Sequence, residues 1–242
     1  MDYQMMLDTA MQAAREAGGL AVASLGKPGY QQWKHPRDLL VGSVYPVQQR
    51  IVEIIHREFP DHAVLAEESE LHAANASEEL PSPDADPLWI VDPIDGSLNF
   101  GQGIPHFAIS IACRVDGIYR VGVVYDPCTQ EMFHALQGRF ARLNHRPITV
   151  QLVAEGESAY DQAIVGTDWP GGMRERSQSL NIATLLATQC ITLNVMGSPA
   201  LGLCYVAAGR THAYYHTDLR LWDVAAASVI LGESGGILTD IR

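Results

Sequence analysis

Hydrophobic positions recur along this chain with two different periods. Over residues 3–25, Met6, Leu7, Ala10, Met11, Ala14 and Ala17 return at helical spacing and predict an amphipathic helix. Gly26, Pro28 and Gly29 then mark a loop. Val47, Ile51, Ile54, Ile55 and Phe59 share one face of a second helix over 47–59, ended by Pro60-Asp61. The polar stretch 73–87, with Pro81, Pro83 and Pro87, reads as a surface loop. Short apolar runs follow at 88–91, 107–115, 122–125 and 131–135. They predict strands, with a hairpin turn at Asp116-Gly117. A turn-rich segment at 144–147 precedes another expected strand at 148–152.

After residue 150 the pattern alternates. Strands are expected at 163–166, 190–195, 213–215 and from 237 to 239, and helices at 174–187, 199–208 and 223–233, the last closed by Gly235-Gly236. Residues 167–172 form a loop between the first of these strands and helices. The expected architecture is one domain over 1–242. Residues 1–150 form an α+β half, and residues 151–242 form an α/β half.

Composition narrows the function classes. The 242 residues are 47% hydrophobic and 18% charged, an ordinary globular balance that can bury a full core. The net charge of −12, without a run of Lys and Arg, argues against a nucleic-acid partner. An acidic chain still binds an anionic substrate if cations reverse the local field. Cys113, Cys128, Cys190 and Cys204 lack zinc or CxxC spacing and read as reduced, packed thiols. Neither a signal peptide nor an apolar run of about 18 residues is legible, so the expectation is a cytoplasmic protein without a membrane partner.

Three acidic clusters end predicted apolar strands or open a helix: Ala63-Val64-Leu65-Ala66-Glu67-Glu68-Ser69, Trp89 through Phe100 with Asp92-Pro93-Ile94-Asp95-Gly96-Ser97, and Leu221-Trp222-Asp223. Carboxylates emerging from buried strands need something positive. Hard oxygen ligands of this kind suit magnesium. Asp95-Gly96-Ser97 also reads as a helix start, where Gly96 permits close approach and backbone N–H groups suit a phosphate.

These segments carry a resemblance. Trp89 through Phe100, Trp222 through Ala226 with Glu233-Ser234-Gly235-Gly236, and Ala66-Glu67-Glu68-Ser69 match signatures of the inositol monophosphatase family of magnesium-dependent, lithium-sensitive phosphatases. Pro105-His106-Phe107-Ala108, Gly122 through Pro127 and Gly197-Ser198-Pro199-Ala200-Leu201 support the match, in the family's order. The resemblance implies a layered αβαβα sandwich of the inositol monophosphatase and fructose-1,6-bisphosphatase type, assembled as a homodimer. It implies two to three Mg2+ ions. Glu67, Asp92 and the Ile94 carbonyl would hold one, and Asp92, Asp95 and Asp223 another; a third would sit near Glu67 through water. Asp38 and the Ser97 hydroxyl would orient the attacking water, with Glu67 also in the catalytic set. Gly96 and Ser97 would bind phosphate, and Asp168, Gly197, Ser198 and His216 would lie along the substrate.

The match departs from the family in places. Val41 and Val44 replace a threonine and an aspartate after Asp38, and Gly138-Arg139-Phe140-Ala141 lacks one glycine. His216 stands where some inositol phosphatases place a substrate-contacting Glu, so inositol specificity does not carry over. His216, Arg220 and Thr167-Asp168-Trp169 are the candidate rim. The chain ends at Arg242, where family members usually add a strand and a helix, leaving a short member or a truncated one as alternatives. The leading expectation is hydrolysis of a small phosphate monoester, inositol monophosphate-like. Fructose 1,6-bisphosphate, histidinol phosphate and a 3′-phosphonucleotide are alternative substrates. The rival of another class is a regulatory or binding protein with weak catalysis.

Overall fold

A computed structural model describes residues 1–27, 29, 31–35, 38–69, 81, 82, 84–153 and 160–240, with residues 31–35 and 38–41 described by backbone alone. The expected first helix is α1 (Tyr3–Ser24), capped by Asp2, whose carboxylate accepts the Met5 N–H at 3.0 Å. The second is α2 (Val44–Glu58). Between them lies a hairpin that the apolar pattern did not signal, β1 (Gln31–His35) against β2 (Asp38–Val41).

Among the described residues, one sheet has the order β3-β4-β5-β6-β7-β8-β9. Its strands are β3 (Ala63–Ala66), β4 (Leu88–Asp95), β5 (Ala108–Val115), β6 (Ile118–Asp126), β7 (Glu131–Leu136), β8 (Arg142–Leu143) and β9 (Arg146–Pro147). Only β3 and β4 pair in parallel; the rest is antiparallel. The turn between β5 and β6 is Asp116-Gly117, both at positive φ, as the sequence anticipated.

A short helix, α3 (Ser97–Gly101), follows β4. The second half contains β10 (Ile164–Thr167), α4 (Met173–Leu186), β11 (Thr192–Val195), α5 (Pro199–Ala207), β12 (Ala213–Tyr215) and α6 (Leu221–Glu233). β10 sits between β11 and β12, all parallel.

Side-chain alternation sorts the large sheet into two cores. Trp89, Val91, Ile109 and Ile111 pack under α1 and α2. Leu88, Ile90, Ala108 and Ala112 pack against α5 and α6. Tyr215 of β12 donates its hydroxyl to the Ser179 carbonyl of α4 at 3.2 Å, which ties α4 to the small sheet. The layers are therefore αβαβα, as expected.

Two expected strands are absent. Residues 148–152 run beside the sheet without joining it, because Ile148 N–H donates to the Ala141 carbonyl and Val150 N–H to the Ser234 carbonyl at the end of α6. Residues 237–239 have no strand partner among the described residues, and Ile237 and Leu238 are exposed. Both segments are apolar enough to read as strands, but β structure needs a neighbouring edge. The cysteines are free thiols, and burial pushes Cys113 up to about 12. Among the described residues, no helix is long and apolar enough to cross a membrane.

Gly122 shows how closely α6 lies on the sheet. A Cβ there would come within 2.3 Å of the Ala226 carbonyl oxygen and 3.0 Å of Val229 Cβ. A backbone carbonyl cannot swing aside as a side-chain tip can. Gly122→Ala should lower stability by about 1–3 kcal/mol, read as a lower urea midpoint; an unchanged midpoint would mean that α6 stands off the sheet.

Candidate active site

The site begins with an irregularity in β4. Asp92 pairs with Ser110 and Asp95 with Ala108, so three steps along β4 match two along β5. In a regular strand, side chains three apart point to opposite faces. The extra residue in the bulge returns Asp95 to the face that carries Asp92. That face is the α5/α6 side, where Leu88 and Ile90 already point. Within the bulge, Asp92 Oδ1 accepts the Ile94 N–H at 3.0 Å.

Two other elements bring acids to this point. β3 runs parallel to β4, and Glu67 N–H donates to the Val91 carbonyl at 3.0 Å, which seats Glu67 beside Asp92. The Glu67 charge is among those that raise the Asp92 pKa. Gln48 of α2 steadies the turn, accepting the Glu68 N–H at 3.1 Å and donating to Ser69 at 3.4 Å. Asp223 is the third residue of α6, and its Oδ2 accepts the Arg220 N–H at 2.7 Å. Ser110 Oγ donates to the Trp222 carbonyl at 3.2 Å, fastening that helix start to β5.

One carboxylate oxygen from each of Asp92, Asp95 and Asp223 lies within 4.8 Å of the others. Asp92 and Asp95 are only 2% and 3% exposed. Burial pushes the Asp92 carboxyl well above the usual range, and the charges of Glu67, Asp95 and Asp223 push it further. Burial and Asp223 do the same to Asp95, against hydrogen bonds from Ser198 and Ala200 that favour its charged form. Hard oxygen donors, clustered and mutually repelling, fit a divalent cation such as magnesium, whose charge would offset both shifts.

The second half of the chain grips this group from behind. Ser198 Oγ donates to Asp95 Oδ2, and the Ala200 N–H in the first turn of α5 donates to the same oxygen at 3.0 Å. Gly96 has φ +98, and a Cβ there would meet the Gly197 carbonyl oxygen at 2.7 Å, so the two loops touch through glycines. Asn99 Nδ2 reaches the carbonyls of His106, Met196 and Gly197 at 2.9, 3.3 and 3.4 Å.

The Inositol monophosphatase family profile matches residues 2–242. This chain belongs to the inositol monophosphatase family. It is 35% identical over 241 residues to the Nus factor SuhB of Pasteurella multocida, covering 98% of this chain and 85% of that protein. It also resembles the solved extragenic suppressor protein suhB from Bartonella henselae, with TM-score 0.84 and 30% identity, over 96% of this chain and 86% of that one. The Thermotoga maritima IMPase superposes with TM-score 0.83 at 28% identity, over 97% and 85% of the two chains.

Most of the residues that the family signatures picked out meet at one place. Glu67, Asp92, Asp95 and Asp223 converge as described, with Ile94, Gly96 and Ser97 in the chain between and just after the two aspartates. Asp38 lies on β2, and its side chain is outside the described residues. Ser198 and Asp168 take positions behind the carboxylates. Ser198 is fully buried with its hydroxyl on Asp95. Asp168 is 5% exposed and accepts from Gly197 N–H and from Tyr214 Oη. Of the expected rim, Trp169 is exposed beneath the Arg176 guanidinium, 5.8 Å from its ring centre, and Arg220 is exposed. Gln48, Asn99 and Tyr214 had no role in the sequence reading, since each acts through a polar tip on partners that the local pattern does not reveal.

His216 follows β12 at the same end of the small sheet as Asp168 and Gly197. Its Nδ1 accepts the Asp218 N–H at 3.1 Å, so the neutral ring carries its proton on Nε2. Burial lowers its pKa to about 4, which makes it an uncharged donor at neutral pH rather than an anion-binding cation. The unfolded chain binds this proton near the ordinary value of 6.5 and the folded one near 4. Stability from this group is therefore full above 6.5 and is lost as pH falls towards 4, by at most roughly 3 kcal/mol. His216→Gln should flatten urea midpoints measured between pH 7 and pH 4.5; an equally steep loss in the variant would show that His216 is protonated in the fold.

Proposed function

We propose that this chain hydrolyses a small phosphate monoester in a magnesium-dependent reaction. The convergence of Asp92, Asp95 and Asp223 on one point supports this reading most directly. When bound there, magnesium supplies Lewis-acid chemistry, neutralising phosphate charge and making water more acidic. Asp92 lies among these acids, and in this reading Glu67, Asp92 and the Ile94 carbonyl would hold one ion, and Asp92, Asp95 and Asp223 another. The N–H groups of Gly96 and Ser97 orient the phosphate. The Ser97 hydroxyl and Asp38 orient the attacking water, with Glu67 holding its place beside Asp92. Positioning and electrostatics carry such a displacement, and the chain forms no covalent intermediate.

The substrate is an alcohol phosphate whose identity His216 helps to set. A neutral Nε2–H there donates to an acceptor, whereas a Glu would accept from hydroxyls. Because a sugar or inositol hydroxyl also accepts, this donor sets fructose 1,6-bisphosphate, histidinol phosphate and a 3′-phosphonucleotide beside inositol monophosphate as candidate substrates. A homodimer in the cytoplasm accompanies this reading, and sedimentation velocity tests the assembly. A second reading draws on the relatives named Nus factor SuhB. In it the chain acts through a protein partner in transcription, and the site is secondary.

Phosphate release from inositol 1-phosphate, fructose 1,6-bisphosphate, histidinol phosphate and 3′-phosphoadenosine 5′-phosphate, with magnesium or EDTA, separates the two. Release from at least one ester, abolished by EDTA, is expected. Silence on all four from folded, metal-loaded protein would favour the partner-binding reading. Asp92→Asn should lower kcat about a hundredfold or more, and lithium should inhibit the parent; an Asp92→Asn protein turning over at the parent rate would show that the ligands are misassigned.

A further inference from the structure

The Gly197 peptide is held from both sides. Its carbonyl faces Asn99 Nδ2, while its N–H donates to Asp168, a carboxylate nearly enclosed at the end of β10. Gly197 has φ +80, and a Cβ there would lie 2.4 Å from Asn99 Nδ2, so nothing but glycine fits this grip. The next residue, Ser198, donates to Asp95. A continuous path thus runs from Asp168 through one peptide and one hydroxyl to an acid of the metal cluster.

Asp168 is itself set by a fitted part. Tyr214 donates its hydroxyl to Asp168 Oδ2 at 2.8 Å. The ring reaches that carboxylate through a slot made by two glycines. A Cβ at Gly202 of α5 would meet the ring at 2.4 Å, and one at Gly166 of β10 at 3.0 Å. Burial raises the Asp168 pKa, while the Gly197 N–H and the Tyr214 hydroxyl pull it back by favouring the charged form. Asp168 is not among the clustered acids, and its two oxygens face inward donors. A buried carboxylate held by the Gly197 N–H, the Tyr214 hydroxyl and the Met196 backbone orients the turn it accepts from.

Resting on the phosphatase reading, we infer that Asp168 and Tyr214 form a positioning pair that fixes the Gly197-Ser198 turn, and through it aims Asp95 at the cation shared with Asp92 and Asp223. Tyr214 sets Asp168, Asp168 sets the Gly197 peptide, and Ser198 sets Asp95. Losing the pair loosens Ser198, one of the two donors on Asp95, and leaves the Ala200 N–H to hold that oxygen alone, which weakens cation binding before it weakens ester binding.

Manganese binding to the folded protein without substrate, followed by electron paramagnetic resonance, tests this beside magnesium activation of phosphate release. Asp168→Asn removes the charge and keeps one acceptor for the Gly197 N–H, but it no longer accepts the Tyr214 O–H, which must turn to accept from the new NH2. It should weaken manganese binding about ten- to a hundredfold, with kcat recovering at high magnesium and KM for the ester little changed. Tyr214→Phe keeps the ring in its slot and should weaken manganese binding about fivefold. A folded Asp168→Asn protein that binds manganese as the parent does would reduce Asp168 to a packing role. If Asp168→Asn does not fold, Tyr214→Phe decides, and parent-like manganese binding in it overturns the pair. Parent protein that binds manganese yet releases no phosphate sinks the phosphatase reading and leaves the positioning pair standing. Parent protein that binds no manganese overturns both.

Discussion

Two carboxylates held on one buried face, with a third carboxylate within 4.8 Å, is the constraint that the surrounding structure serves. Like charges so placed repel, and burial removes the water that would screen them. Burial first, and that repulsion second, raise the pKa values of Asp92 and Asp95. Such an arrangement persists only because rigid elements impose it. β4 bulges to turn Asp95 onto the Asp92 face, β3 in parallel register adds Glu67, and the first turn of α6 presents Asp223. A cation at this point would convert the most unfavourable feature of the fold into its binding energy.

The two halves of the chain meet at that cluster. The first half supplies a sheet whose α5/α6 face carries the acids. The second half supplies donors: Ser198 and Ala200 on Asp95, with Asp168 and Tyr214 holding the turn behind them. Close packing makes the alignment exact enough to matter. Gly96 against Gly197, and Gly122 against Ala226, leave no space for even a methyl group. The glycines in the signatures are therefore contacts between elements as much as turn formers.

Membership in the inositol monophosphatase family explains why the acids occur in this order along the chain. It does not choose a substrate. In the proposed reading that choice falls to residues such as His216, whose neutral ring and fixed tautomer depend on burial and on the Asp218 N–H. The same family contains relatives named for a Nus factor, so fold and site alone do not exhaust what a member does.

Much of the molecule was legible in the sequence. Helical periodicity marked α1 and α2, alternation marked the central strands, and Asp116-Gly117 marked the hairpin, because each signal is local and each element buries the face that its own pattern defines. The acids were legible too, since a carboxylate at the end of an apolar strand is anomalous wherever it occurs. What the sequence could not decide is non-local. The residues at 148–152 and 237–239 had strand composition but found no strand edge, and the β1-β2 hairpin formed where no apolar pattern announced it. Asp168 stood in the candidate rim, and its direction was not legible in the sequence. Only the packed chain turns it inward, where the Gly197 N–H and a tyrosine slotted between two glycines claim its oxygens. Periodicity thus marked the elements and the resemblance named the candidate ligands, whereas register, bulge and burial decided which carboxylates lie together.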